Sequence, residues 1–336
     1  MSAFTTIKHG VVVRGLAMLL GAGALQAPAA AQTSWKMPTG YPEKFFHTEN
    51  IQLFAQDVAA ATQGKLQITV HPAGSLFKLN EIKDAVQAGK ADIGEVLFAS
   101  MVKEMPLTGV DSVPFVVGGY DDARRLWKFH RPKAEEELAA KGMKLLFSVP
   151  WPPQALYTLK PVKRSGDMRG MKVRAQNQTI VRIAELWGAT AVTDVMTPKD
   201  VGAALASGKI DSLLTSSVTG VEGKSWEYLK YVYTINAWIP RNVVLANAKA
   251  FAALDAPTRD ALLKAAAEAE ERGWRLSKEA NERALSELRL HGMKVEQTPL
   301  EFEQDLARLG ERFTREWIKQ AGHSANDIFI PYYSAH

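Results

Sequence analysis

The sequence predicts an α/β protein of two halves, each a sheet flanked by helices. Three observations predict it. From Thr33 onward, short runs rich in β-formers alternate with amphipathic stretches of helical period, the pattern of strands and helices sharing layers. The alternation breaks at Val149-Pro-Trp-Pro-Pro153, where prolines remove backbone donors and restrict the residues before them, and it restarts beyond. A helical pattern interrupted only by Gly273 then runs from Leu254 to Leu290, longer than one small domain requires. A chain of 336 residues has length for two domains or one large one, and either buries a substantial core.

Taken in order, Thr33–Thr39 reads as a strand ending in the Gly40-Tyr-Pro42 turn. Ile51, Leu53, Phe54, Val58 and Ala61 recur at helical spacing between Thr48 and Thr62, and Gly64 stops that helix. Lys65–Val70 alternates as a strand. A helix over about 79–88 follows, then a strand from Ala91 ending near Glu95. This β-α-β-α-β order implies parallel pairing. One helix carrying Ala123, Leu126 and Trp127, a second over 132–141, and the strand from Met143 complete the first half. The second half repeats the alternation: strands near Leu156, over 171–175, from Ala191 and over 210–214, with helices over 179–187, from a capping box at Thr197-Pro-Lys-Asp200 to Gly208, and near 225–231. The chain returns to the first half around Trp238–Leu245. The long helix either spans both halves or breaks at Gly273-Trp274, and an amphipathic helix from Leu300 to Trp317 packs as a cap.

Residues 1–31 have the form of an export signal. Lys8 and Arg14 supply positive charge with no Asp or Glu, a short apolar core runs from Gly15, and Ala29-Ala-Ala31 offers a small-residue cleavage site. The apolar run is short of the roughly 20 residues a membrane span needs, so the mature protein is expected in the periplasm and not embedded in the membrane. Losing those two cations lowers the net charge from +5 to +3, and no basic-aromatic cluster marks a nucleic-acid surface. With no cysteine there is no disulfide, thiolate metal site or cysteine nucleophile. The seven histidines have no metalloprotease spacing, and neither G-x-S-x-G nor a dinucleotide fingerprint occurs in the mature chain. No cofactor, metal or catalytic residue is expected.

The stretch Asp167-Met-Arg-Gly-Met-Lys-Val-Arg174 places an arginine at the carboxyl end of a strand, where open α/β sheets present ligand-binding groups. A guanidinium is planar, permanently charged and matched to the two oxygens of a carboxylate. With His71-Pro-Ala-Gly-Ser-Leu76, Ala85-Val-Gln-Ala-Gly-Lys-Ala-Asp-Ile-Gly94, Val113-Pro-Phe115 and Ala204-Leu-Ala-Ser-Gly-Lys-Ile-Asp211, this order and spacing resembles the periplasmic substrate-binding proteins of tripartite ATP-independent (TRAP) transporters, the dicarboxylate-binding-protein family.

The resemblance implies a two-domain periplasmic-binding-protein-like clamshell with mixed sheets, cross-over strands and a long helix spanning both domains. Residues 32–150 would begin domain I, 151–238 form domain II, and 239–336 return to domain I with the long and C-terminal helices. It implies a monomeric solute receptor, not an enzyme, that binds a small organic acid through an Arg174 salt bridge and delivers it to TRAP permease membrane subunits. Two positions depart from the family's pattern. Gln154 stands where many relatives carry a second arginine, and Thr215-Ser216 where many carry an asparagine. Only one carboxylate is thereby neutralised, and a dicarboxylate would need another partner such as Arg241. Further lining candidates are Trp151, Tyr157, Trp238, Phe46, Glu95 and Gln176. Two alternatives accompany this reading: a periplasmic enzyme using Glu95 or His47 as base, and a ligand-sensing receptor without transport.

Overall fold

The computed structural model describes residues 32–195 and 200–335. The export signal and most of the Thr197–Asp200 capping box lie outside the described residues. The first stretch of chain forms β1 (Thr33–Pro38), α1 (Phe46–Ala61), β2 (Leu66–His71), α2 (Ile82–Gln87), β3 (Ile93–Leu97), α3 (Tyr120–Ala140) and β4 (Met143–Pro150). The second forms β5 (Gln154–Thr158), β6 (Lys172–Arg174), α4 (Gln178–Trp187), β7 (Thr190–Val192), α5 (Val201–Ala206), β8 (Ser212–Ser216), α6 (Ser217–Glu222) and β9 (Tyr231–Tyr233). The remainder forms β10 (Arg241–Asn247), α7 (Ala248–Ala253), α8 (Ala256–Leu290), β11 (Lys294–Glu296), α9 (Leu300–Ala321) and α10 (Asn326–Ser334).

Two strand systems organise these elements into a two-domain α/β fold. In the first, β1 and β2 pair in parallel, and β10 runs antiparallel between β3 and β4. Trp35 and Met37 of β1 bury against Phe54 and Val58 of α1, the apolar stripe that the spacing of that helix predicts. The second system is a mixed sheet in the order β11-β9-β5-β8-β6-β7, where β6, β7 and β8 are parallel and β5 is antiparallel to both its neighbours. The parallel pairing expected in the first half therefore holds for β1 and β2, whereas β3 pairs with the returning β10.

Three expectations need correction. The helices expected on either side of residue 131 are one helix, α3, with Pro132 inside it. Proline deprives the Lys128 carbonyl of its helical partner, but both residues lie on the exposed face of the helix, while Ala134 and Leu138 continue the buried stripe of Leu126, Trp127 and His130. The helix expected near 225–231 is a 3₁₀ turn at Ser225–Glu227 followed by β9. The β-formers Tyr231-Val-Tyr233 find pairing partners in β5 and β11, and the sheet wins. Finally, β11, from the segment expected to return to the first half, joins the second sheet beside β9.

The long helix is continuous. Asp255 caps it through a 2.7 Å bond from Thr258 N, and α8 packs on α1 and β4 of the first system and on α6 and β11 of the second. Gly273 breaks nothing. A Cβ there would lie 2.5 Å from Val149 Cγ2, so glycine allows close approach of α8 to β4. The buried Glu270, one turn earlier, accepts from Trp127 Nε1, Arg131 Nη1 and Ser148 N at 2.8–3.0 Å and ties the helix to the first half.

Between the sheets the chain crosses twice outside helix and strand, at 151–153 and at 234–240. The crossings are bonded to each other: Trp151 N donates to Pro240 O at 2.7 Å, Gln154 N to Trp238 O at 3.0 Å, and Ala237 N to Gln154 O at 2.9 Å.

Candidate functional site

Beside the crossings, the ends of β1, β3 and β10 bring together a buried polar network. The antiparallel register sets Asn242 opposite Leu97 and Val244 opposite Glu95, so Asn242 and Glu95 are diagonal neighbours on one face. Asn242 Nδ2 donates to Glu95 Oε1 at 3.1 Å, and Thr39 Oγ1, just past β1, donates to Glu95 Oε2 at 2.6 Å. Asn242 Oδ1 in turn accepts from Trp151 Nε1 at 2.9 Å and from the Tyr41 hydroxyl at 3.3 Å. His47, in the first turn of α1, places Nδ1 3.4 Å from Glu95 Oε1 without the alignment of a hydrogen bond, and neither of its buried ring nitrogens has a protein partner. The imidazole lies 4.1 Å from the Phe46 ring and 4.7 Å from that of Trp151, centroid to centroid, with Tyr41 and Phe45 completing an aromatic cage.

Burial dominates the electrostatics of this wall. It pushes the Glu95 carboxyl up to about 7, against the two hydrogen bonds that favour its charge. It holds the His47 imidazole well below its ordinary value, so the ring is neutral at neutral pH. The Tyr41 phenol is raised by burial and then by the Glu95 charge.

A second polar group comes from the second sheet. Arg174 ends β6 opposite Leu213 of β8, is 3% exposed, and donates Nε to Val195 O at 2.8 Å, which fixes the guanidinium plane. Burial draws its pKa down to about 10, opposed by the charge of Asp200, and it remains a cation at neutral pH. Gln154 and Ser216 face each other at the ends of β5 and β8, with Thr215 opposite Ala155. Gln154 Nε2 donates to Pro152 O at 3.0 Å, and Gln176 Nε2 to Leu214 O at 3.4 Å with its buried Oε1 unpartnered.

The residues predicted from sequence thus fall into two sets. Glu95, Trp151 and Phe46 meet around Asn242 and His47, while Arg174, Gln154, Gln176, Thr215 and Ser216 cluster at the carboxyl ends of β6 and β8. Ser216 caps α6, its Oγ 3.0 Å from Thr219 Oγ1. Tyr157 is packed into the core under α6 against Gly220, and Trp238 enters the apolar core and meets the crossing through its carbonyl. Arg241 is not available as a second anchor. Adjacent strand residues face opposite ways, so it points away from the Asn242 network, bonds Asp111 through N and Nε at 3.0 and 3.2 Å, and stacks 4.3 Å from the Trp127 centroid. Thr39 and Asn242 were not singled out from sequence. They are common polar residues 203 positions apart, linked only by the fold.

Among the described residues no His, Asp and Glu cluster is set to hold a metal ion, and no helix is long and apolar enough to cross a membrane. Residues 39–320 match the model of the bacterial extracellular solute-binding protein family 7, DctP. Among solved structures, DctP6 of Bordetella pertussis, an extracytoplasmic solute receptor binding pyroglutamic acid, is 41% identical with a TM-score of 0.85, covering 90% of this chain and 100% of its own. DctP7 of the same organism, also binding pyroglutamic acid, is 38% identical with a TM-score of 0.84, covering 90% and 99%. A marine metagenome TRAP solute-binding protein specific for pyroglutamate is 36% identical with a TM-score of 0.84, covering 90% and 99%. These are binding proteins, which removes the enzymatic alternative built on Glu95 or His47. The chain belongs to family 7 of the bacterial extracellular solute-binding proteins, the extracytoplasmic receptors of TRAP transporters.

Proposed function

We propose that this receptor captures a small cyclic monocarboxylate, pyroglutamate, between its two halves and delivers it to a TRAP permease. The observation that carries the reading is the charge at the site. Arg174 is buried at the carboxyl end of its strand, Gln154 stands where a second arginine is expected, and Arg241 is committed to Asp111. One guanidinium matches one carboxylate, and a bidentate charge-assisted pair is short and directional. The pyroglutamate bound by relatives 36–41% identical fits that charge, and the Trp151, Phe46 and Tyr41 rings suit a flat five-membered ring. Gln176 and Thr215 flank the carboxylate. In this reading residues 32–150 and most of 239–336 form one jaw and 151–238 the other, with β11 lent to the second, after removal of a leader near Ala31.

Thermal-shift and calorimetric titration of protein freed of ligand by unfolding and refolding tests the reading. Pyroglutamate should stabilise the fold by about 2.7 kcal/mol at a hundredfold excess over Kd. C4-dicarboxylates and uronates should bind far more weakly. Arg174→Ala should abolish the pyroglutamate shift and Arg174→Lys recover little of it, because a point charge does not replace the planar fork. A shift that survives Arg174→Ala overturns the site. Uptake by vesicles containing the permease subunits, dependent on added receptor, separates delivery from sensing.

A further inference from the structure

The proposed ligand has a second polar edge, and the network around Glu95 holds groups that match it. A lactam carries an N–H donor and a C=O acceptor on adjacent atoms of one planar edge. Glu95 Oε1 and His47 Nδ1, 3.4 Å apart and not hydrogen-bonded to each other, set an acceptor beside a ring that can donate. Each Glu95 oxygen already takes one donor, Thr39 on Oε2 and Asn242 on Oε1, and a carboxylate has capacity for about four. Both His47 nitrogens are fully buried and lack a protein partner. Asn242 is used at both ends, by Glu95 on Nδ2 and by Trp151 and Tyr41 on Oδ1, so it orients the Glu95 carboxylate and has little left for a ligand.

We propose that His47 and Glu95 together read a secondary cis-amide: the Glu95 carboxylate accepts the ring N–H while the His47 imidazole donates to the ring carbonyl. The inference rests on the lactam-carboxylate reading above and assigns specificity within it. Arg174 selects for a carboxylate, and the His47–Glu95 edge selects lactams over rings of the same size and charge. With oxygen in place of the N–H, a ring lone pair faces the Glu95 carboxylate, and two acceptors oppose each other with no proton between them.

Calorimetry on ligand-free wild-type protein with three ring acids tests this: pyroglutamate, its lactone isostere with ring oxygen replacing N–H, and tetrahydrofuran-2-carboxylate, which also lacks the carbonyl. Pyroglutamate should bind at least about a hundredfold tighter than the lactone, because a site built to bond an N–H rejects the analogue lacking it. The lactone should in turn exceed tetrahydrofuran-2-carboxylate by about tenfold. Glu95→Gln should weaken pyroglutamate at least about tenfold and the lactone little, and His47→Phe should weaken both carbonyl-bearing acids and leave the third unchanged. A lactone within about threefold of pyroglutamate on the wild-type protein overturns the proposal without any variant having to fold. Equal weakening of all three acids by Glu95→Gln overturns it too, by making Glu95 a holder of Thr39 and Asn242 only. Failure of the wild-type protein to bind pyroglutamate overturns the ligand reading of the proposed function, whereas binding of all three acids that depends on Arg174 but shows no discrimination leaves that reading and removes this one.

Discussion

Glu95→Gln in the ligand-free receptor has a pH signature whose sign and size follow from burial. The carboxyl ordinarily titrates at 4.5, and in the folded protein burial raises it to about 7. The folded state therefore keeps a proton that the unfolded chain releases between these values. Stability from this group is fully present below pH 4.5 and is lost as pH rises towards 7. A difference of about 2.5 in pKa at about 1.4 kcal/mol each gives a loss of roughly 3 kcal/mol. Of the groups facing Glu95, His47 adds a slope of the opposite sign, because burial holds its imidazole well below its ordinary value, but it is present in both proteins and drops out of their difference. Tyr41 is pushed further from ionisation, and Thr39 and Asn242 do not titrate. Asp111, raised to about 6, adds a slope of the same sign as Glu95, but it too is present in both proteins and drops out of their difference. Urea unfolding of the wild-type and Glu95→Gln proteins across about pH 4.5–7.5 reads that difference directly. The wild-type protein should lose about 3 kcal/mol relative to the variant as pH rises. Parallel profiles would refute the assignment of a desolvated, titrating carboxyl to this wall.

Other predictions follow from the packing. Gly273→Ala should destabilise by about 1–3 kcal/mol in chemical denaturation, because the 2.5 Å approach to Val149 outweighs the roughly 1 kcal/mol that alanine gains in a helix; a more stable variant contradicts the close approach. Asp111→Ala should cost about 3–5 kcal/mol, since it strands the Arg241 charge in the interior, yet relative affinities for mono- and dicarboxylates should not change if Arg241 faces away from the ligand. Trp151→Phe keeps the ring but frees Asn242 Oδ1 of one donor, and should weaken ligand binding measured by calorimetry by about tenfold with a change in melting temperature of only a few degrees.

Local chemistry made part of this molecule legible in sequence. The strand-end Arg174, the Asp255 cap and the proline-rich crossing each depend on residues close together in the chain. Other features depend on pairing partners that no local window contains. Tyr231-Val-Tyr233 takes β form only because β5 and β11 flank it, and Pro132 sits within a helix on its exposed face, where the buried stripe of α3 runs past it. The same holds for the site. Glu95 was visible as an acid at a strand end, but Thr39 and Asn242, which hold its two oxygens, are brought to it by strand order. His47 was named from sequence as a possible base, and its place 3.4 Å from Glu95 depends on where α1 docks.

The continuity of α8 dictates the mechanics of the whole receptor. Its 35 residues extend about 52 Å, and the helix is gripped by one sheet system near its start and by the other near its end. If the two halves move as the jaws proposed above, separating them bends a continuous elastic rod. The two bonded crossings alone would leave a slack joint with many resting angles. On the two-jaw reading a strap of this kind would give the jaws a preferred angle and a restoring torque, and Gly273, whose backbone meets β4 with no side chain between, lies within the first grip and anchors the strap there. On that reading, elastic energy stored on opening in the stretch between the two grips would return on closing, and part of the drive to close would come from outside the ligand-binding residues named above.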